Sequence, residues 1–258
     1  MSTSSVSLQQ INPNNFVPLA SGQTIRHAHF NDVSFVDLKT EAVIFEHCVF
    51  EDCSFASAEF SMLKAHNCQF LNCRFAHAHF NDALFDHCSF YDSKKDKGSD
   101  FAHAQLKFAK FLECDLSQAN FKYANLFGIS IKGCKVLAGD FEHANFANKV
   151  SAKVSFAQAE ITDSILRFAR FVKVYLAHCE FTGNDFTEVD FSNANLSEAN
   201  LTHCILNGAT FRQASLEGAE IQGSDINSLE LAGCNLKNLK ISTDQCIPFL
   251  ALFEIEVV

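Results

Sequence analysis

A large apolar residue returns at every fifth position of this chain, and that period constrains the fold more than any other feature. Ile25, Phe30, Phe35, Phe45, Phe50, Phe55, Phe60, Phe70, Phe75, Phe80, Phe85 and Phe90 form a first run, broken only by Thr40 and Ala65. A second run starts at Phe101 and holds its register to Ile241, with Ser151 the one exception, so that 40 of 43 slots carry Phe, Leu, Ile or Val. A smaller residue stands two positions before each large one, as at Ala28, Val33, Cys48, Cys53 and Ala58, and the remaining positions are mostly polar. Residues spaced by five would walk around a helix, whose period is about 3.6. On a strand, whose period is about two, they would flip faces each time. The pattern fits a chain that makes one side of a square coil in five residues and then turns a corner. The large and small residues point inward, and 28 Phe with no Trp is what one slot filled repeatedly produces.

That geometry removes several chemical readings. Ten of the 11 Cys (Cys48, Cys53, Cys68, Cys73, Cys88, Cys114, Cys134, Cys179, Cys204 and Cys234) occupy the small inward slot in alternation with Ala and Val, as small buried hydrophobes do. Pairs such as His47-Cys48 and His203-Cys204 invite a zinc reading, but the His lies outward while its Cys points in, and no C-x-x-C pair exists. No metal or cofactor is expected. All 11 His fall on outward positions, seven of them before residue 90, where a solvated face is the plain expectation. No nucleophile-base constellation or phosphate loop is evident, so the chain reads as a non-enzyme. A balance of 20 Lys+Arg against 30 Asp+Glu, net -10, argues against gripping nucleic acid directly but not against engaging a basic partner. Residues 1–15 lack the basic and apolar regions of a signal peptide, and no stretch approaches the roughly 20 apolar residues of a membrane span, so a cytoplasmic protein off the membrane is expected.

Function should lie where so strict a period fails. Residues 91–100 are charged, shift the register by one and should bulge outward, with Ser93, Lys94, Lys95, Asp96, Lys97 and Gly98 as partner-binding candidates. In residues 147–155 the register survives, yet Lys149 falls on a small inward slot and Ser151 on a large one. Burying an unpaired Lys costs several kcal/mol, so Asn148, Lys149, Val150, Ser151, Ala152, Lys153 and Val154 should leave the coil as a second binding loop, which carries two Lys and no acid. After Ile241 the repeat stops, and Ser242 or Thr243 could cap a short helix. The dense apolar tail, with Ile247, Phe249, Leu250, Leu252, Phe253, Ile255 and Val257, must cover the open end, pair with a second copy, or both.

Units such as Ala194-Asn195-Leu196 and Ala199-Asn200-Leu201 resemble the pentapeptide-repeat family. The resemblance implies an all-β, right-handed quadrilateral β-helix with four units per coil, spanning 25–241 in nearly eleven coils. At about 4.8 Å per coil the rod is on the order of 50 Å long. A polar lead-in, 1–24, and a C-terminal dimerisation segment, 242–258, flank it. Within the family the chain is similar to the Qnr quinolone-resistance branch over roughly residues 40–258. The features that carry this are Phe85-Asp86-His87-Cys88-Ser89-Phe90 before the first break, Ala124-Asn125-Leu126-Phe127-Gly128-Ile129, the second break with Ser151 and Lys153, and the Leu239-Lys240-Ile241 exit. The apolar tail leads us to expect a homodimer through the C-terminus, and the branch implies a protein that binds DNA gyrase, with topoisomerase IV as a further partner, as an acidic rod of about the width of duplex DNA, protecting the enzyme from quinolones. Two other functions fit the same residues: a scaffolding solenoid without a topoisomerase, and self-immunity against a peptide or polyketide gyrase poison.

Overall fold

The computed structural model describes residues 8–149 and 155–257, and in it the chain is a four-sided β-solenoid closed by one short helix. Each side is a parallel ladder of very short strands, continuous on three sides and interrupted on the fourth between Asn145 and Tyr175. Face one climbs from Thr24 through Ile44, Lys64, Leu84, Lys110, Ser130, Glu160, Glu180, Asn200 and Glu220 to Lys240. Face two runs from His29 to Asp225, face three from Ser34 to Glu230, and face four from Lys39 to Asn235. The ordinary step is 20 residues, as from Thr24 to Ile44.

Local chemistry explains the unit. The residue before the large one is repeatedly Asp or Asn because its Oδ1 accepts the backbone N–H two residues on, closing an Asx turn: Ala102 N on Asp100, Lys122 N on Asn120 and Ser192 N on Asp190 at 3.1, 3.1 and 2.9 Å. The second residue after the large one turns the corner in the left-handed region, for example Asp52 at φ 56° and Asn193 at φ 59°.

The core consists of columns. Phe30, Phe50, Phe70 and Phe90 stack with ring centroids 4.7, 4.7 and 4.8 Å apart. Phe35, Phe55, Phe75, Phe101, Phe121, Phe141 and Phe171 make a second column, which is why Phe dominates the composition. Thr40 and Ala65, the two gaps in the first run, are buried in their rungs like their neighbours.

After Ala28, the small slot of face two holds only Cys, Ser or Asn: Cys48, Cys68, Cys88, Cys114, Cys134, Ser164, Asn184, Cys204 and Ser224. Each thiol of its first five points at a carbonyl of the coil before, as Cys114 does toward Phe85 at 3.4 Å. From the middle of the rod onward, side chains in this column also accept backbone N–H groups: Cys134 N donates to Ser164 Oγ (3.0 Å), Ser164 N to Asn184 Oδ1 (2.9 Å) and Cys204 N to Ser224 Oγ (2.9 Å). The column is therefore a buried hydrogen-bonding spine as well as a strip of small hydrophobes.

Two features differ from the period's arithmetic. Gln9–Ile11 pairs in parallel on Ala28, His29 and Phe30, and Phe16 packs edge-on against Phe35 at 5.1 Å, so part of the polar lead-in adds a rung and covers the first coil. Phe156 stands in register for the core but is 42% exposed, and the coil resumes only at Ala159 and Ile161. Lys135 pairs with Ile165, so two whole units are extruded; register alone cannot reveal this, because a whole number of units leaves it unchanged.

Candidate functional site

The first interruption is a tight antiparallel hairpin, Tyr91–Asp92 against Lys97–Gly98, at the corner between faces two and three. Asp92 is buried, and its Oδ1 accepts the N–H groups of Lys94 and Lys95 at 2.9 and 3.2 Å, which closes the turn over Ser93. Gly98 is required by close approach: a Cβ there would sit 2.3 Å from the Gln118 carbonyl carbon. Three of the candidate side chains are tied back to the rod. Lys95 Nζ donates to Asp52 Oδ1 at 2.5 Å, Lys97 Nζ to Asn72 Oδ1 at 3.1 Å, and Asp96 accepts from Tyr91 (2.5 Å) and Gln118 (2.9 Å). The Lys95 hydrogen bond, then Asn72, holds the Asp52 carboxyl below its usual range. Ser93 and Lys94 are left exposed at the tip.

The second interruption rises between faces four and one. Ala147–Lys149 pairs antiparallel with Ser155–Ala157, opposing Asn148 to Phe156 and Lys149 to Ser155, and Asn148 and Lys149 are exposed. Val150, Ser151, Ala152, Lys153 and Val154 lie outside the described residues. An aromatic footing supports the root: Phe127 meets Phe156 edge-on at 5.2 Å and Phe108 at 5.3 Å. Gly128 at φ 73° leaves the space Phe108 occupies, since a Cβ there would be 2.3 Å from the ring. The Phe127-Gly128 pair thus seats the loop, a role periodicity alone does not signal because both residues are outside the inward slots.

Charge is unevenly spread around the rod. Outside the hairpin, faces two and three with their shared corner carry Asp32, Glu51, Asp52, Asp100, Asp115, Asp140, Asp185, Glu188, Asp190, Asp225 and Glu230 against Lys135, Arg167, Arg74 and Arg170, and the hairpin adds Asp92 and Asp96 with Lys94, Lys95 and Lys97. Faces four and one with their shared corner carry eight acids and six bases, Lys39, Lys64, Lys107, Lys110, Lys237 and Lys240. The acidic side is the side from which the hairpin rises.

At the C-terminal end a single 3-10 turn, Thr243–Gln245, leads into the helix Cys246–Ala251. Gln245 is buried and continues the face-two spine: its Nε2 donates to Ile221 O and Ser224 O at 2.8 and 2.7 Å, while its Oε1 accepts from Ser242 N at 2.8 Å. Phe249 and Leu252 pack against the core and Leu250 is half-buried, whereas Ile247, Phe253, Ile255 and Val257 are exposed.

Nine of the Cys are buried, Cys234 is half-buried and Cys246 exposed; burial pushes the Cys179 and Cys204 thiols up to about 12, far from thiolate chemistry. Among the described residues no cluster of three or more His, Cys, Asp or Glu could hold a metal ion, and no helix is long and apolar enough to cross a membrane.

Two family models match, one described as "Pentapeptide repeat region" over residues 63–139 and one as "Pentapeptide repeats (8 copies)" over 164–202 and 194–238, together more than half the chain. Pentapeptide repeat protein QnrB4 of Escherichia coli is 42% identical over 97 residues, 38% of this chain and 45% of that protein. Quinolone resistance pentapeptide repeat protein QnrB96 of Scandinavium goeteborgense is 40% identical over 97 residues, with the same shares. The chain thus spans less than half the length of these curated relatives. Among solved structures, a trypsin-treated variant of QnrB1, a plasmid-mediated fluoroquinolone resistance protein, superposes with a TM-score of 0.67 at 27% identity, covering 85% of this chain and all of that one. Full-length QnrB1 gives 0.57 at 29% identity over 78% of this chain and 95% of that one.

Proposed function

This chain belongs to the pentapeptide-repeat family, and from that premise we propose that it is a quinolone-resistance factor that binds a type II topoisomerase, DNA gyrase or topoisomerase IV, and protects it from the drug. The observation that carries the reading is the match to the QnrB1 structure, which extends over 85% of this chain at 27% identity rather than over a few generic coils. The physical route is mimicry. A rod that gathers its carboxylates on two adjoining faces offers a basic DNA-binding surface the charge pattern of a duplex, and such an association is fast and salt-sensitive. The two loops add contacts that a straight rod lacks, with Lys94 and Lys149 free of the described ion pairs and Ser93 beside them at the hairpin tip. The exposed apolar set Ile247, Phe253, Ile255 and Val257 makes the C-terminal end the homodimer contact, giving an end-to-end rod on the order of 100 Å.

The test is a supercoiling assay with purified gyrase and ciprofloxacin, with and without the full chain. Restored supercoiling is expected; no rescue at any concentration of the protein refutes the reading. Removing residues 148–154 should abolish rescue while the circular dichroism and unfolding midpoint of the solenoid persist, because the parallel pairing of Ile129–Lys132 with Ala159–Thr162 lies outside the removed segment. Full rescue by that variant would refute the role of the second loop.

A further inference from the structure

A cleft of about 560 Å³ lies along face one beside the root of the second loop, on the side away from the acidic faces. Its walls are Phe108, Leu112, Ile129 and Ala159, its rim Lys110 and Lys132, and Glu160 closes one end. Lys132 pairs with Glu160. Lys110 is exposed and has no ion-pair partner among the described residues, so the cleft presents one uncommitted cation above an apolar floor. Phe108 is an unusual residue to find there. It occupies a left-handed corner at φ 56°, a conformation costly for a bulky side chain, and remains 43% exposed. Ala42, Met62 and Asp82 hold the same corner in earlier coils, and Gly128 in the next coil clears space for the Phe108 ring. Two positions therefore serve to hold an aromatic face open to solvent beside a free lysine.

We infer that this cleft is a docking site for an acidic peptide segment of a protein partner, one that places a carboxylate on Lys110 and a large apolar side chain between Phe108 and Leu112. Charge complementarity selects this occupant. A nucleic acid would leave the apolar floor unfilled, and its run of phosphates would meet a single uncommitted cation, Lys110, where one carboxylate beside an apolar side chain matches both features of the cleft. A basic segment would be turned away by Lys110 and drawn to the opposite faces. The acidic faces are thus the contact for a basic surface, and the cleft is a second contact of opposite sense, independent of which enzyme the acidic faces meet.

The experiment uses the full chain and the probe peptide acetyl-Asp-Trp-Glu-Leu-Asp-amide, whose Trp fluorescence is read without interference because this chain contains no Trp. Saturable binding with a dissociation constant on the order of 100 µM is expected, the scale of a contact well below standard interface size. Lys110→Glu and Phe108→Ala should each weaken it at least about tenfold, with unchanged circular dichroism; Ala is already accommodated at this corner as Ala42. Binding unchanged from the wild type in both variants, equal for a peptide with its acids replaced by Lys, displaced by an oligothymidylate, or absent at millimolar peptide overturns the inference. Failure of gyrase protection would leave this titration unaffected, so the two readings fail separately.

Discussion

Eight of the eleven histidines, His27, His47, His77, His87, His103, His143, His178 and His203, stand at left-handed corners of the coil, where Asn, Asp and His are the side chains most often tolerated. Their number reflects the turn geometry and needs no ligand to explain it. The cysteines have a comparable structural cause in the face-two spine, and the same column predicts where small substitutions hurt. Asn184→Ala removes two bonds from Nδ2, to Ile161 O at 2.6 Å and Phe181 O at 2.8 Å, and strands the Ser164 N–H. A loss of about 2–3 kcal/mol is expected in urea unfolding, because a buried group left unsatisfied carries its desolvation cost. Ala194→Ser, in the small-residue column of the opposite face four, has no orphaned group to rescue and should not stabilise. That the small slot is inward is legible from the period. That its polar members accept backbone N–H groups is not, because Cys, Ser and Ala are alike in size and only the corner geometry distinguishes their tasks.

At the scale of elements, the breaks announce themselves in sequence because a Lys cannot occupy an inward slot, whereas their shapes do not. The first break reads as a loose charged bulge, yet Asp92, Gly98 and buried Ser99 fold it into a hairpin stapled to the rod by Lys95 and Lys97. The Asp52 carboxyl, held low mainly by Lys95, contributes anchoring that is present above the ordinary Asp range near about 3.9 and is lost as pH falls through its depressed value. The hairpin's amide chemical shifts should therefore be constant from neutral pH to about pH 5 and move below about pH 4; a hairpin unperturbed by acid would show the staple to be dispensable. The second break hides its length, since Phe156 satisfies the period while pairing with Asn148 outside the core. At the C-terminus, truncation after Ile241 removes both the Gln245 plug and the helix that carries the exposed apolar set. Sizing chromatography should then show monomers or insoluble protein, and a soluble dimer of unchanged size would refute the assignment of that end as the interface.

At the scale of the molecule, each coil touches only its neighbours, so the rod tolerates an extrusion at the cost of one rung on one face, between Asn145 and Tyr175, and its four faces can diverge in chemistry. Eleven carboxylates against four bases on faces two and three outside the hairpin, with near balance across the rod, is the asymmetry on which the mimicry route depends. It is invisible in the net charge of -10 and appears only once the 20-residue step assigns each residue to a face. The fold permits a clean test of it. Asn replaces Asp in the Asx turn at Asn120 and Asn195 without altering the coil, so carboxylates can be neutralised in place. The decisive measurement is the affinity of purified gyrase, in the presence and absence of competing duplex DNA, for the wild type, for the triple variant Asp100→Asn, Asp190→Asn, Asp225→Asn, and for a control with Glu160→Gln, Glu180→Gln and Glu220→Gln on face one. Mimicry predicts that duplex DNA displaces the protein, that the triple Asp variant binds at least about tenfold more weakly with a shallower salt dependence, and that the face-one control binds as the wild type. Equal binding by the wild type and both triple variants, unaffected by DNA, would contradict it.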